Sequence, residues 1–262
     1  MEILNLIQPD EFKVFLLVLA RVSIVLFMLP IFGSTMFPVM VKAGLAMVIS
    51  MLMYSVVNLD PALLPLTPLG TGLLLISEAM IGLTLGLCVR LFFGSFQLAG
   101  QVIGFQMGFS MINVVDPQSG ANVSIMEQLS YWVALLVFLV LNGHHIMLLA
   151  LVDSFDLIQP GQFVFQRVMV DKVLFIGAQM WILSIKIGAP AIAALLCTSV
   201  AFGLTAKFSP QMNVMIVAFP LKIVVGLVLF GLSLEIISIV TRAYLYEFKA
   251  LLLQLMFWIG GG

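Results

Sequence analysis

Charged side chains are scarce in this sequence: Asp, Glu, Lys and Arg together make up 9% of it, where a soluble domain carries about 25%. That scarcity excludes an ordinary water-soluble globule. With a formal net charge of −1 and no basic run, the chain also has no electrostatic footprint for nucleic acid. Cysteine and histidine are nearly absent, two of each. Cys88 and Cys197 lie in apolar runs, where a cysteine behaves as a small hydrophobe, so no disulfide framework follows. His144 and His145 are adjacent and would point about 100° apart on a helix, which is poor for joint metal ligation. They are expected as polar residues ending a span at the Asn142-Gly143 break. No G-x-S-x-G, H-E-x-x-H, P-loop or G-x-G-x-x-G motif occurs. Catalysis is therefore not expected, and neither a cofactor nor a bound metal is implied. The first residues, MEILNLIQPDEF, are acidic where a cleavable signal would be basic, so membrane insertion is expected to use the later apolar segments.

What the sequence holds instead is apolar length. Hydrophobic residues make up 63% and the mean hydropathy is +1.23, which marks an integral membrane protein. Uncharged runs at Val22–Val41, Leu91–Val115, Gln128–Val152 and Ile187–Ala206 each reach the roughly 20 residues that cross a hydrocarbon core. Because unpaired backbone groups are not tolerated in lipid, the fold class is all-α, with kinked helices and helical hairpins. A β-barrel would show short alternating segments, and LLVLARVSIVLFMLP and VVGLVLFGLSLEIISIV alternate nowhere.

Along the chain, Phe12–Phe32 and Val39–Leu59 are separate apolar segments, and Asn58–Pro68 is the clearest loop. From Leu69 to Val115 the sequence is apolar for longer than one span and is expected to bend or fold back. Leu129–Val152 is another span, broken near Asn142-Gly143. Asp153–Lys172 is the most polar stretch and the expected boundary between two halves, placed at 1–165 and 166–262. Val173–Ala206 again exceeds one span, with a kink expected at Pro190. Met212–Val240 closes the hydrophobic region, and a more polar tail, TRAYLYEFK, follows. Lysines and arginines lie inside these segments as often as between them, so charge assigns no orientation.

Arg21, Lys42, Glu78, Arg90, Lys186, Lys222 and Glu235 stand within or beside apolar sequence, where a charge at the bilayer centre costs about 2.5–3.5 kcal/mol or more. Glu78 and Arg90 are about 18 Å apart along one helix axis, so their partners belong to other helices or other chains. Inter-subunit ion pairs, an ion relay and snorkelling at the membrane edge are the three readings open here. Glycines recur at helical spacing, first Gly82, Gly86 and Gly94 with Arg90 in the same register, then Gly100, Gly104 and Gly108. Such spacing lets helix backbones approach closely. Gln106–Ser124 (QMGFSMINVVDPQSGANVS) reads as an apolar loop in which Met107 and Met111 could mould around partners and Phe109 and Ile112 could exclude water. A plain connecting loop is the alternative.

Three groups of residues carry a resemblance to a known family. Near the start are Arg21, LPIFG and Pro38 with VKAG. In the centre QMGFSM precedes DPQSG. Most specific is Pro210-Gln211-Met212-Asn213 followed by Phe219-Pro220-Leu221-Lys222 and Gly226. Together they resemble the FliR family of the flagellar type III export gate, and its T-type counterparts in virulence secretion, over essentially the whole chain. The resemblance implies a FliP-like part at 1–165 joined to a FliQ-like hairpin and tail at 166–262, since Gly188-Ala189-Pro190 followed by SPQMN and FPLK is similar to FliQ. It implies one copy of this chain in a helical hetero-oligomer with FliP and FliQ homologues, in the bacterial inner membrane at the flagellar basal body. FlhB and FlhA homologues, exported unfolded flagellar proteins and membrane lipid are its further implied partners. It also implies a pore plug at Met107, Phe109, Ser110, Met111, Ile112, Asn113, Val114 and Val115, with Asp116, Pro117 and Gly120 shaping the turn. Arg21, Lys42, Glu78, Arg90, Lys186, Pro210, Gln211, Asn213, Pro220, Lys222 and Glu235 are then expected at contacts between subunits. The rival from another class is an autonomous ion-coupled transporter using Glu78, Arg90 and Glu235.

Overall fold

The computed structural model describes residues 9–33, 37–57, 65, 67–109, 124–159, 163, 165–209, 211 and 214–259. Among them the regular structure is helical, in seven segments: α1 (Pro9–Met28), α2 (Val39–Tyr54), α3 (Pro68–Met107), α4 (Ile125–Val140), α5 (Gly143–Leu157), α6 (Arg167–Phe208) and α7 (Val214–Ile259). The all-helical expectation holds. Three helices, 68–107, 167–208 and 216–259, are long and apolar enough to cross a membrane, and α4 with α5 adds a fourth span if the pair is counted as one. The chain is a membrane protein.

Helix lengths depart from the expectation. The apolar stretch after Leu69 forms a single helix of 40 residues and breaks only at Gly108. The stretch around Pro190 likewise runs as one helix of 42 residues, and TRAYLYEFK is absorbed into a last helix of 46. At 1.5 Å per residue these helices are roughly 60–70 Å long, about twice the hydrocarbon thickness. The stretch after Leu69 therefore does not fold back as a hairpin before Gly108, and Pro190 lies inside its helix without ending it. The Asn142-Gly143 break is present as expected. Asn142 adopts a left-handed conformation (φ 56°), which Asn tolerates better than most residues, and its carbonyl accepts from the His145 and Ile146 amides at 3.0 and 3.3 Å. The two histidines therefore begin α5 where they had been expected to end a span.

The described chain divides into two compact units, Met1–Leu91 with Asn142–Gly177 and Leu245–Gly262, and Phe92–Leu141 with Ala178–Tyr244. In the first, α1 packs against α2, with Phe15 edge-on to Tyr54 at 6.4 Å and the Tyr54 hydroxyl donating to the Glu11 carboxylate. The buried face of α1 carries Val14, Leu17, Val18, Arg21 and Val25, the i, i+3, i+4 pattern of a core-facing helix. Arg21 is as inaccessible as its apolar neighbours, at 0% exposure. Its Nε donates to Glu78 Oε2 of α3 at 2.5 Å. Its Nη1 donates to the Ser154 carbonyl at 2.8 Å and hydroxyl at 3.0 Å, and Nη2 to the Ile158 carbonyl at 3.2 Å. The guanidinium also lies over the Phe155 ring, 4.1 Å from its centroid. One side chain thus binds α1 to α3 and caps the C-terminal end of α5, where free carbonyls and the negative end of the helix dipole favour a cation.

The second unit holds an aromatic group in which Phe92 stacks on Tyr244 at 4.3 Å and Phe93 meets Phe138 edge-on at 5.2 Å. Its apolar centre is formed by Ile103, Met107, Met126, Ala191, Leu195 and Phe230.

Removing one partner of a buried ion pair leaves the other charge uncompensated. Arg21→Ala is therefore expected to destabilise the chain by about 3–5 kcal/mol. Glu78→Gln, which keeps an acceptor for Nε, should cost only about 1–3 kcal/mol. Thermal unfolding in detergent measures both, and equal melting of Arg21→Ala and wild type would sink this account of the fold.

Candidate functional site

The C-terminal end of α3 leads into the central loop, and its geometry follows from three glycines one turn apart. A side chain at Gly100 would collide with the Met126 carbonyl oxygen and the Ser130 hydroxyl, and would lie 2.8 Å from the Glu127 Cα. At Gly104 it would collide with the Ser124 hydroxyl and lie 3.3 Å from Met126 Cβ. The start of α4 therefore rests directly on the α3 backbone, as the four-residue glycine spacing leads one to expect. At Gly108 the requirement is conformational. Its φ of +92° ends α3 in the left-handed region that glycine enters without strain. The Phe109 amide donates to the Gly104 carbonyl at 3.0 Å and the Gly108 amide to the Phe105 carbonyl at 3.1 Å, the paired bonds of a Schellman cap. Such a cap turns the next residue back against the helix, and Phe109 packs on the Ile103–Met107–Phe230 core.

Helix α7 closes the other side. Carbons of the Phe219 ring lie 2.7 and 2.9 Å from where a Gly108 Cβ would stand, and the Met107 side chain occupies the place of a side chain at Gly226, with Cγ at 2.5 Å and Sδ at 2.6 Å. Met107 is 0% exposed. An unbranched thioether fills such an irregular seat well. Phe109 and Ser124, the residues on either side of 110–123, thus both sit against Gly104. The ends of the central loop share one base.

Among the residues expected at the plug, Met107 and Phe109 belong to this packed base. Ser110, Met111, Ile112, Asn113, Val114, Val115, Asp116, Pro117 and Gly120 lie outside the described residues. Of the residues expected between subunits, Arg21 and Glu78 are brought together inside the chain, away from any surface. Lys42 and Lys222 are half-buried, and Arg90, Lys186, Gln211, Pro220 and Glu235 are exposed. Pro210 and Asn213 lie outside the described residues. The three residues of the transporter reading are placed differently from one another: Glu78 is committed to Arg21, while Arg90 and Glu235 face outward. Among the described residues no group of three or more His, Cys, Asp or Glu could hold a metal.

Sequence reasoning missed Ser154, Phe155 and Ile158, whose service to Arg21 depends on backbone carbonyls and a ring more than 130 residues away. It also missed Ser124 as the seat for Gly104. Phe219 and Gly226 stood in the most specific motif, without any signal of what they touch.

The description "bacterial export proteins, family 1" belongs to the family model that matches residues 12–248. The chain is 35% identical over 237 residues to the flagellar biosynthetic protein FliR of Bacillus subtilis strain 168, covering 89% of this chain and 90% of that protein. It is 29% identical over 221 residues to the FliR of Escherichia coli K12, with 84% of each chain covered. It is 27% identical over 243 residues to that of Aquifex aeolicus, covering 92% and 93%.

The shared base has a direct chemical test. A Cβ at position 104 would lie 3.5 Å from Ser124 Cβ, inside the roughly 3.5–4.5 Å range of disulfides. Gly104→Cys combined with Ser124→Cys, in a background lacking the natural cysteines, should cross-link under mild oxidation and yield a peptide joining positions 104 and 124. Absence of that peptide in folded protein would show that the two loop ends are not held together.

Proposed function

Membership of this chain in the bacterial export proteins of family 1, the family of the FliR proteins, is the premise from which we propose that it is a core channel subunit of the flagellar type III export gate. In this reading it forms, with FliP and FliQ homologues, the pore through which unfolded flagellar subunits cross the inner membrane. The observation that carries the reading is likeness to a flagellar FliR along nine-tenths of both chains. A membrane component of an export apparatus is the coarser conclusion, and it rests on the family and the apolar helices together.

Several features support the finer reading. Helices of roughly 60–70 Å suit a subunit that continues beyond lipid into a protein assembly. Arg90, Lys186 and Glu235, exposed on such helices, are costly against hydrocarbon and suit protein neighbours. We assign the FliP-like part to 1–165 and the FliQ-like part to 166–262, with FlhB and FlhA homologues as further neighbours at the basal body. The apolar segment 110–115, flanked by Asp116, Pro117 and Gly120, serves as the plug, because a constriction lined by Met, Ile and Val excludes water and ions when closed. Met107 and Phe109 anchor it. The chain provides channel wall, and its family is one of export components, not of known enzymes. The relatives named above are flagellar, which favours that system over a virulence apparatus. An autonomous transporter is disfavoured because Glu78, the buried carboxylate it would use, is held by Arg21.

Expression from the native operon, purification in mild detergent and native mass spectrometry should show one copy of this chain with several FliP-like and FliQ-like subunits. A solitary, monodisperse protein would overturn the reading. Deleting 110–115 while keeping the Phe109 anchor should leave that complex assembled and raise membrane permeability to small solutes. Unchanged permeability in an assembled complex would remove the plug role.

A further inference from the structure

Helices α6 and α7 are far longer than a bilayer is thick, so only part of each lies in hydrocarbon. Charge positions locate that part. On α6 the exposed Lys186 and Lys207 bracket the uncharged run Ile187–Ala206, which at 1.5 Å per residue is roughly 30 Å long, the thickness of the hydrocarbon core. No other stretch of this helix fits. Asp171 and Lys172 leave only the shorter run 173–185 on the other side of Lys186.

Helix α7 gives the same level independently. It runs back along α6 after the short 209–213 connection, and its Phe230 shares an apolar cluster with Ala191 and Leu195 of α6. Lys186 is five residues before Ala191 and Glu235 five after Phe230, so in a hairpin both lie about 7.5 Å from the cluster in the same direction. The two exposed charges therefore stand at one height. From Glu235 back to Val214, where α7 begins, the leg again has the roughly 20 residues of a hydrocarbon crossing. Lys222 is the one charge within it, about two turns from the start and half-buried, where a lysine stem can carry its ammonium toward the headgroups. Between the two levels Leu196, Val200 and Leu204 on one leg and Val224, Val228 and Leu232 on the other are exposed and apolar. Past Glu235 the surface changes character: Arg242, Glu247 and Lys249 of α7 are exposed, as are Arg167, Asp171 and Lys172 of α6.

We propose that the bilayer covers this hairpin from Lys186 and Glu235 at one headgroup level to Lys207 and the 209–213 connection at the other, with Cys197 at the midplane, and that the remaining lengths of α6 and α7 stand outside the hydrocarbon. The occupant is phospholipid, with acyl chains against the apolar band and headgroup phosphates within reach of the two lysines. Lys186 and Glu235 are thereby kept out of hydrocarbon and stay open to neighbouring chains at the same level. The inference requires that the chain be a membrane protein and nothing further of the export-gate reading.

The protein carries its own reporter, since Cys197 is exposed and Cys88 buried, and Cys197 lies midway between the two lysines. The complex from the native operon, with the exposed cysteines of other subunits replaced, is reconstituted in phosphatidylcholine–phosphatidylglycerol vesicles and spin-labelled at Cys197. In a Cys197→Ser background the label is moved in turn to Val228→Cys, Ile182→Cys, Ile239→Cys and Phe208→Cys, all at exposed positions. The ratio of oxygen to water-soluble nickel chelate accessibility, read by electron paramagnetic resonance, measures depth. It should be greatest at 197 and 228 and fall to headgroup or aqueous values at 182, 239 and 208. A maximum at 182 or 239, or aqueous values at 197 and 228, would overturn the placement and leave the export-gate reading untouched. Where a neighbouring subunit blocks labelling, the full chain reconstituted alone gives the same profile. Failure of other subunits to co-purify would count against the export-gate reading only, because the depth profile of the chain itself is still measured.

Discussion

A guanidinium with no route to water must find a partner for nearly every N–H, and Arg21 meets that demand with groups from two other helices, α3 and the C-terminal end of α5. Four of the five donors an arginine side chain offers are used: one on Glu78, two on Ser154 and one on Ile158. The planar fork matters here, because an ammonium in the same place would present a point charge and reach fewer of these acceptors. The pair is more informative about specificity than about net stability, since desolvating both charges offsets much of their attraction. Its consequence is positional. The register of α1, the N-terminal part of α3 and the end of α5 is defined within their unit by one set of hydrogen bonds that no shifted packing would satisfy.

The other unit achieves definition without charge. Gly100 and Gly104 bring α4 onto α3, and Gly226 accepts Met107, so backbone stands where side chains would otherwise separate helices. In a membrane the hydrophobic effect does not draw helices together, and close packing of this kind takes its place. The base of the central loop is thereby built from the same contacts that hold the unit together. Phe109 and Ser124 both meet Gly104, which brings the two ends of the central loop to one place.

The residues that remain outward-facing tell the complementary story. Arg90, Lys186 and Glu235 were singled out from sequence by the same argument as Arg21 and Glu78, yet the two groups lie in opposite environments. One class of charge is consumed in folding the chain and the other is left on the surface. In the export-gate reading proposed above, the second class is what remains for contacts with other subunits.

Much of the fold was legible because its determinants are local. Uncharged runs marked the helices, Asn142-Gly143 marked the break, and the spacing of Gly100, Gly104 and Gly108 marked a close helix contact. Composition alone therefore determined an all-helical membrane protein, and the motifs determined its family, since both depend on which residues are present and how they are spaced. Tertiary structure alone decided that α3 continues unbroken to Met107, that Arg21 pairs with Glu78 57 residues away, and that Met107 and Phe109 hold the loop's base. Those outcomes turn on which surfaces meet, and a one-dimensional pattern records the capacity of a residue to be buried or paired without recording its partner.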